Sequence, residues 1–255
     1  MSDFSNPAKR VLSCVEKAAK ATEKESAAEV WAEILGLDKK TSKVDPHDVT
    51  AKLGLLRDQV DLVQSSMSST NFSSNLYKPH LDKIRKTVTV GNITAGWSNY
   101  KSHLSPDTVL SLRFCAEIIN DESEISFDEL QKLLSKIAEL RAEIESGNVV
   151  GPTYDFIISQ LNIIEDAVRD YPIVGGSAIK RAFKNGFSDL TERAEDLAGN
   201  EEVKATGKLG KIWKDLKSAG GEFVEADKIA NAYVGLIEKG HSLSESVQSL
   251  PFFGS

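Results

Sequence analysis

The chain has 255 residues, of which 40% are hydrophobic and 27% are charged, and its formal net charge at pH 7 is −7. This length can enclose one large hydrophobic core or two small ones, and the composition differs from that of disordered chains, which carry fewer apolar residues and more net charge. The negative net charge disfavours nucleic-acid binding, because a phosphate backbone repels a negatively charged surface.

Apolar residues at helical spacing, together with proline and capping residues, predict helices along nearly the whole chain. In chain order the predicted helices cover residues 7–36, 46–68, 79–103 with a break, 106–120, 127–146, 152–171, 177–198, 202–218 and 222–239. Pro7, Pro46, Pro79 and Pro106 mark four of the helix starts, because proline lacks an N–H that the first turn would leave unpaired anyway. Residues 87–94 alternate like a strand, but no other segment has a period of two, so we predict a kink or loop there.

The helix pattern is clearest from Ser126 to Leu197, and it begins with a predicted helix that ends at Gly147. The apolar residues of this helix form one stripe that we expect to face a core. They are Phe127, Leu130, Leu133, Leu134, Ile137, Leu140 and Ile144. Ser126 and Glu129 have the spacing of a capping box, in which each side chain satisfies a backbone amide at the helix start. We expect Gly147 to end the helix in a left-handed conformation.

The sequence therefore predicts an all-α protein, an irregular antiparallel helical bundle with a C-terminal amphipathic helical extension. The bundle is expected to cover residues 1–200, with the Ser-rich stretch 65–74 as a candidate linker, and the extension to cover 201–255. No apolar run approaches the roughly 20 residues that cross a bilayer, and the first residues have no signal pattern. We therefore expect a cytoplasmic protein in which Cys14 and Cys115 are reduced and buried.

No motif for catalysis, metal binding or cofactor binding stands out. Glu238 and His241 have the spacing of a metal-binding pair on a helix, but such sites need two pairs, and Gly240 interrupts this helix. Nucleophile turns and glycine-rich phosphate-binding loops are also absent from the sequence. We accordingly predict no catalytic residue, metal or cofactor, while a helical fold can still host an enzymatic site that motifs do not reveal.

The C-terminal extension is the strongest candidate for a binding surface. Its predicted helix carries apolar residues on one side and lysines on the other. The apolar residues are Leu209, Ile212, Trp213 and Leu216, and the lysines are Lys204, Lys208, Lys211 and Lys214. Phe252 and Phe253 add two aromatic residues that we expect to pack, either within the chain or on a partner.

Two functions follow from this extension. The first is a non-catalytic protein-protein interaction or scaffolding protein, whose apolar stripe with Phe252 and Phe253 binds another protein or a second copy. The alternative is a membrane-recruited or membrane-active effector, whose lysines bind an anionic membrane surface. The same helix pattern also fits docking on the core of its own chain. Burial of Trp213 against its own helices would weaken both binding interpretations.

The segment from Asp170 to Ser177 predicts a turn between two helices, with Ser177 as the N-cap of the second. An alternative is an anion site, because free amides at a helix start, with Lys180 and Arg181 nearby, can hold an anion. Continued through Phe183, the segment resembles a turn-and-helix segment of uncharacterised bacterial all-helical proteins. The resemblance covers residues 170–183 only, and it implies a bacterial source and no activity.

Overall fold

The protein is described by a computed structural model over residues 4–37, 44–89, 91–122, 125–147, 150–197 and 203–219. Within these ranges it is all-α, as predicted, and the one β-type pairing is an isolated antiparallel bridge between Ser26 and Gly96. The helices are α1 (Pro7–Lys20), α2 (Ala27–Ile34), α3 (Pro46–Ser68), α4 (Lys78–Thr87), α5 (Ser98–Lys101), α6 (Pro106–Ile118), α7 (Phe127–Ser146), α8 (Pro152–Val174), α9 (Gly176–Leu197) and α10 (Val203–Ala219), with a short 3-10 turn at Ser74–Leu76.

Local caps start the helices where the sequence places them. Proline stands in the first turn of α1, α3, α4 and α6, as predicted. The predicted capping box of α7 is present, since the Ser126 hydroxyl accepts from the Glu129 amide and the Glu129 side chain accepts from the Ser126 amide. The Ser126 hydroxyl is the main cause that lowers the pKa of Glu129, because its hydrogen bond stabilises the carboxylate.

The single helix predicted over residues 7–36 is wrong, because two helices, α1 and α2, occupy this range. A second capping box, Ser26 with Glu29, starts α2. The first amides of α2 also bond to backbone, with Ala27 and Ala28 donating to the carbonyls of Ala95 and Ile93. This contact holds the residues after α4 as a loop beside the α2 start, which confirms the predicted interruption after Thr87.

Two details of helix ends also differ from prediction. Gly147 follows α7 with a φ of −98°, so it is not left-handed; a side chain there would instead meet the Glu143 carbonyl oxygen at 2.8 Å. Ser177 is not an N-cap, because α9 already begins at Gly176 and α8 continues through Pro172 to Val174. The reversal between α8 and α9 is made by Gly175 alone, whose φ of 61° favours glycine.

The described chain divides into two compact units. The first contains the described residues up to Glu122 together with Pro172–Gly175, and the second contains the remaining described residues, including α7, α9 and α10. This division differs from the predicted one at residue 200. The Ser-rich stretch 65–74 lies inside the first unit, and its residues up to Ser68 are the last turn of α3.

The first unit is built around two tryptophans and a buried arginine. The rings of Trp31 and Trp97 meet edge to face with centroids 5.7 Å apart. Their indole N–H groups donate to the carbonyls of Thr87 and Ala18 at 3.1 and 3.2 Å, so both polar atoms are satisfied inside the core.

Arg10 of α1 is 1% exposed, and its guanidinium is held by hydrogen bonds on several sides. It donates to Gln59 at 2.9 Å, to the Phe4 carbonyl at 2.9 Å and to the Glu122 carboxylate at 2.8 Å. A buried charge is tolerated only when it is paired and hydrogen-bonded, and Arg10 meets both conditions. It therefore ties α1 to α3 and to the residues after α6.

The core of the second unit includes the α7 stripe. Leu130, Leu133, Ile137, Leu140 and Ile144 are all buried, which confirms the predicted core face of the helix. Leu134 is half-buried. Phe127 departs from the prediction, because it is 67% exposed at the first position of α7.

Candidate interaction surface

The predicted C-terminal stripe is packed inside its own unit. Leu209, Ile212, Trp213 and Leu216 of α10 are at most 4% exposed. The Trp213 ring lies 4.9 Å from the Phe183 ring of α9, centroid to centroid. Phe252 and Phe253 lie outside the described residues. Of the three interpretations of this stripe, docking on the core of its own chain is the one that this packing supports.

The lysine side of α10 lies near carboxylates of α7. Lys208 forms an ion pair with Glu143, and Asp215 forms one with Lys136 at 2.6 Å. The sequence contains an acid-rich segment around α7 and a lysine-rich segment in α10, and the fold packs the two helices together. The lysine face is therefore at least partly neutralised in cis. The side chain of Lys204 lies outside the described side chains.

A cleft of about 400 Å³ separates the polar edges of α7 and α10. Its lining carries four lysines and three carboxylates, with Leu140 and Ile212 at the base. The lysines are Lys136, Lys208, Lys211 and Lys214, and the carboxylates are Glu139, Glu143 and Asp215. Mixed charges of nearly equal number create little net potential, so the cleft has no clear preference for anions or cations.

Both cysteines of the chain lie in the described residues. Cys14 and Cys115 are free and buried, as predicted, and burial raises the pKa of both thiols to about 11. They are therefore protonated and unreactive near neutral pH. His80 contacts the Thr108 hydroxyl at 3.3 Å through Nδ1. Among the described residues, no group of three or more His, Cys, Asp or Glu could hold a metal ion.

The turn between α8 and α9 does not favour the anion site considered from its sequence. The Arg181 guanidinium lies 3.8 Å from the Asp170 carboxylate, which competes with any bound anion. Ser177 lies in the first turn of α9 and Gly175 provides the reversal. The segment therefore acts as a helix-to-helix turn, as the simpler interpretation predicts.

One apolar surface of the first unit is exposed. We call it the α6 surface, and it consists of Phe72, Leu76, Leu110, Phe114 and Ile118. Leu76, Leu110 and Phe114 are 55%, 49% and 50% exposed, while Phe72 and Ile118 are half-buried. Large apolar side chains scattered singly are ordinary at a protein surface, but a contiguous group is typical of a binding site.

Local contacts join these residues into one patch. Leu110, Phe114 and Ile118 are four residues apart on α6, so they share one side of the helix. The Phe72 ring lies 6.4 Å from the Phe114 ring, and the Ser111 hydroxyl holds the Leu76 carbonyl at 2.7 Å. The α6 surface is therefore supported by the helix and by the segment before α4.

A cavity of about 380 Å³ continues the α6 surface beyond Ile118. Its lining includes Leu62 of α3, Thr70 just after α3 and Ile119 after α6. Leu62 is itself 42% exposed. A recess beside an exposed apolar stripe provides a place for a partner side chain, which is the usual arrangement at the centre of protein interfaces.

Two charged residues flank the stripe on α6. The Arg113 side chain is 58% exposed and bonds to Glu16 of α1 at 2.6 Å through its guanidinium. Glu117, one turn further along, is exposed. An apolar stripe bordered by one cation and one anion is typical of a rim that sets the register of a partner.

The sequence analysis did not identify the α6 surface, although a signal is present. A surface helix normally has one apolar face, and the opposite face of α6 already supplies buried Leu112, Cys115 and Ala116. Leu110, Phe114 and Ile118 form a second apolar face that the core does not require. A second apolar face that stays exposed on a surface helix marks a candidate binding surface.

Comparison of the chain with protein-family models, with curated proteins and with solved structures found no match. Among the described helices, none combines the length and apolar character needed to cross a membrane. The exposed surfaces of the described residues are therefore the features that bear on function.

Proposed function

We propose that this protein is a non-catalytic helical interaction or scaffolding protein, and that it binds its partner through the α6 surface. The observation that carries the proposal is the contiguous exposure of Leu76, Leu110 and Phe114, each about half exposed. Exposure of such a patch to water is unfavourable. Burying it contributes roughly 25 cal/mol of favourable free energy per Å² of apolar area, from which the costs of association are subtracted. The side chains of Leu76, Leu110 and Phe114, beside the cavity, supply this apolar area.

The C-terminal stripe, which we first expected to carry the interaction, has less support. Leu209, Ile212, Trp213 and Leu216 would have to leave their packing in the second unit before another protein could contact them. The α6 surface requires no such rearrangement, and most interfaces form with little backbone movement.

The membrane-recruited alternative also has less support than protein binding. It depends on a lysine face that attracts anionic lipid, but Lys208 pairs with Glu143 and Lys136 pairs with Asp215 beside it. An enzymatic function is the third possibility. A cytoplasmic location in a bacterium belongs to the same proposal, and the free, buried Cys14 and Cys115 are in keeping with a reducing compartment.

The proposal is tested by quantitative affinity capture from the native cell with the full chain as bait. Leu110→Asp and Phe114→Asp place a charge on the α6 surface, and Phe127→Asp is the matched control, because Phe127 is exposed outside this surface. We expect wild type and Phe127→Asp to retain the same proteins and both α6 variants to lose them. Equal capture by all four proteins would contradict binding through the α6 surface.

A further inference from the structure

The exposed side of α6 has a charge pattern that is complementary to itself. Arg113 and Glu117 lie one helical turn apart on the same edge of the apolar stripe formed by Leu110, Phe114 and Ile118. Symmetric dimers bind through the same patch on both copies, so every contact between residues i and j occurs twice. Arg113 already pairs with Glu16 of its own chain at 2.6 Å, so Glu117 of a second copy would share the Arg113 guanidinium with Glu16.

We propose that the α6 surface binds the α6 surface of a second copy of this chain, with the two α6 helices antiparallel about a two-fold axis near Phe114. This inference rests on the proposed function and names the partner. Leu110 precedes Phe114 by four residues and Ile118 follows it by four. An antiparallel pair that places Phe114 beside Phe114 of the second copy therefore places Leu110 beside Ile118 of that copy.

The same register brings the opposite charges together. With Phe114 at the axis, Arg113 lies within about 3 Å, measured along the helix, of Glu117 of the second copy, because each residue advances the helix by about 1.5 Å. Both side chains are long enough to cover that offset. The two-fold axis keeps Arg113 and Glu117 of both copies on the same edge of the helix pair, so two Arg113–Glu117 attractions outweigh one Arg113–Arg113 repulsion at the same offset.

A parallel arrangement lacks this complementarity. A two-fold axis parallel to the helices would place Arg113 and Glu117 of the second copy on the opposite edge of the pair, so the charged residues of the two copies would not meet. The charge pattern therefore selects the antiparallel dimer. The recess lined by Leu62 and Ile119 lies next to Ile118, where it can accept the edge of the second copy's apolar stripe.

The expected dimer is weak. An interface made by one face of α6 with Phe72 and Leu76 is small beside the roughly 1,200–2,000 Å² that stable interfaces bury in total. We expect a transient dimer with a dissociation constant on the order of micromolar, as is usual for small interfaces. Sedimentation equilibrium of the full chain measures it directly. We expect Phe114→Asp to weaken the dimer by at least about tenfold, and the Phe127→Asp control to leave it unchanged.

The decisive experiment uses charge reversal in two chains. All variants are made in a Glu16→Gln background, so that a carboxylate at position 113 does not face Glu16. Arg113→Glu alone and Glu117→Arg alone should each be monomeric, because each places like charges across the axis. Mixed together, they should form a heterodimer, since every facing pair is then opposite in sign. Circular dichroism of each variant checks that it is folded.

Three results would overturn the dimer: a monomeric wild type at several hundred micromolar, a dimer that Phe114→Asp does not weaken, or folded charge variants that do not associate when mixed. If the wild type is monomeric while Phe114→Asp still loses captured proteins from the native cell, the proposed function stands and self-association is rejected. If capture is also insensitive to Phe114→Asp, both fail.

Discussion

Gly186 of α9 lies directly against the indole ring of Trp213 of α10. A Cβ atom at position 186 would be 2.8 Å from Cζ2 of Trp213 and 3.1 Å from Oε1 of Gln160. The ring is fully buried and cannot turn away. The absence of a side chain at Gly186 therefore allows α9 and α10 to approach closely and to cover the stripe of α10.

Gly186→Ala should destabilise the protein by about 1–3 kcal/mol, because overpacking a rigid core exceeds the gain in helix propensity. Gly207→Ala on α10 is the matched control, since nothing lies within 4 Å of a Cβ there. The control should be neutral or stabilising by up to about 1 kcal/mol. Urea denaturation measures both, and equal midpoints for the two variants would contradict the packing of Trp213 on Gly186.

Gly175→Ala should lower the free energy of unfolding more than the same substitution at Gly36, another glycine with a left-handed backbone. A Cβ at Gly175 would lie 2.5 Å from the Arg10 guanidinium, in addition to the strain of its φ of 61°. Gly36 has a φ of 68°, and a Cβ atom there would have nothing within 4 Å. Gly36→Ala should therefore lose only the stability that backbone strain costs, about 1–2 kcal/mol. The excess loss of stability in Gly175→Ala measures the contact with Arg10. We expect Arg10→Met to remove that excess in the double variant.

Ile137→Asp should lower the free energy of unfolding by several kcal/mol, because it buries an unpaired charge in the core of the second unit. Ile137 is 2% exposed, whereas Phe127 on the same helix is 67% exposed. Phe127→Asp should therefore change stability by less than about 0.5 kcal/mol. Thermal denaturation followed by circular dichroism separates the two, and an unchanged midpoint for Ile137→Asp would mean that the stripe is exposed.

Acid should weaken the junction between α1 and the residues after α6. Hydrogen bonds from Lys9 and Ser5 lower the pKa of Asp121 from its ordinary 3.8. A carboxylate with a depressed folded pKa contributes stability above its unfolded pKa, and this contribution is lost as pH falls through the folded value, below 3.8. Asp121→Asn should therefore reduce the loss of stability between pH 6 and pH 3 in urea titrations. Asp107→Asn, an exposed carboxylate on α6, is the control.

Wild-type protein should not sediment with anionic vesicles at low salt, because carboxylates of α7 lie beside the lysines of α10. If it does sediment, replacing Lys204, Lys208 and Lys211 together with Glu decides whether these lysines are responsible. Loss of sedimentation in that variant, with the fold intact, would favour the membrane-recruited alternative over protein binding.

The helices and their starts could be predicted from sequence because the interactions that begin a helix are local. Pro7, Pro46 and the Ser126–Glu129 capping box act within one turn, so the residues that carry the signal also make the contacts. The second capping box, Ser26 with Glu29, is equally visible in the sequence and was overlooked within a longer apolar pattern. The buried stripe of α7 was predictable for the same reason, since its period depends on the helix alone.

Tertiary structure alone decided which apolar faces are covered. The stripes of α10 and α6 look alike in sequence, but Trp213 is buried by Gly186 and Phe183, whereas Phe114 is half exposed. Helical periodicity predicts that a helix has an apolar face, but it does not predict which other helix packs against that face. That pairing depends on contacts between residues far apart in the chain, such as Lys208 with Glu143, and only the folded chain brings them together.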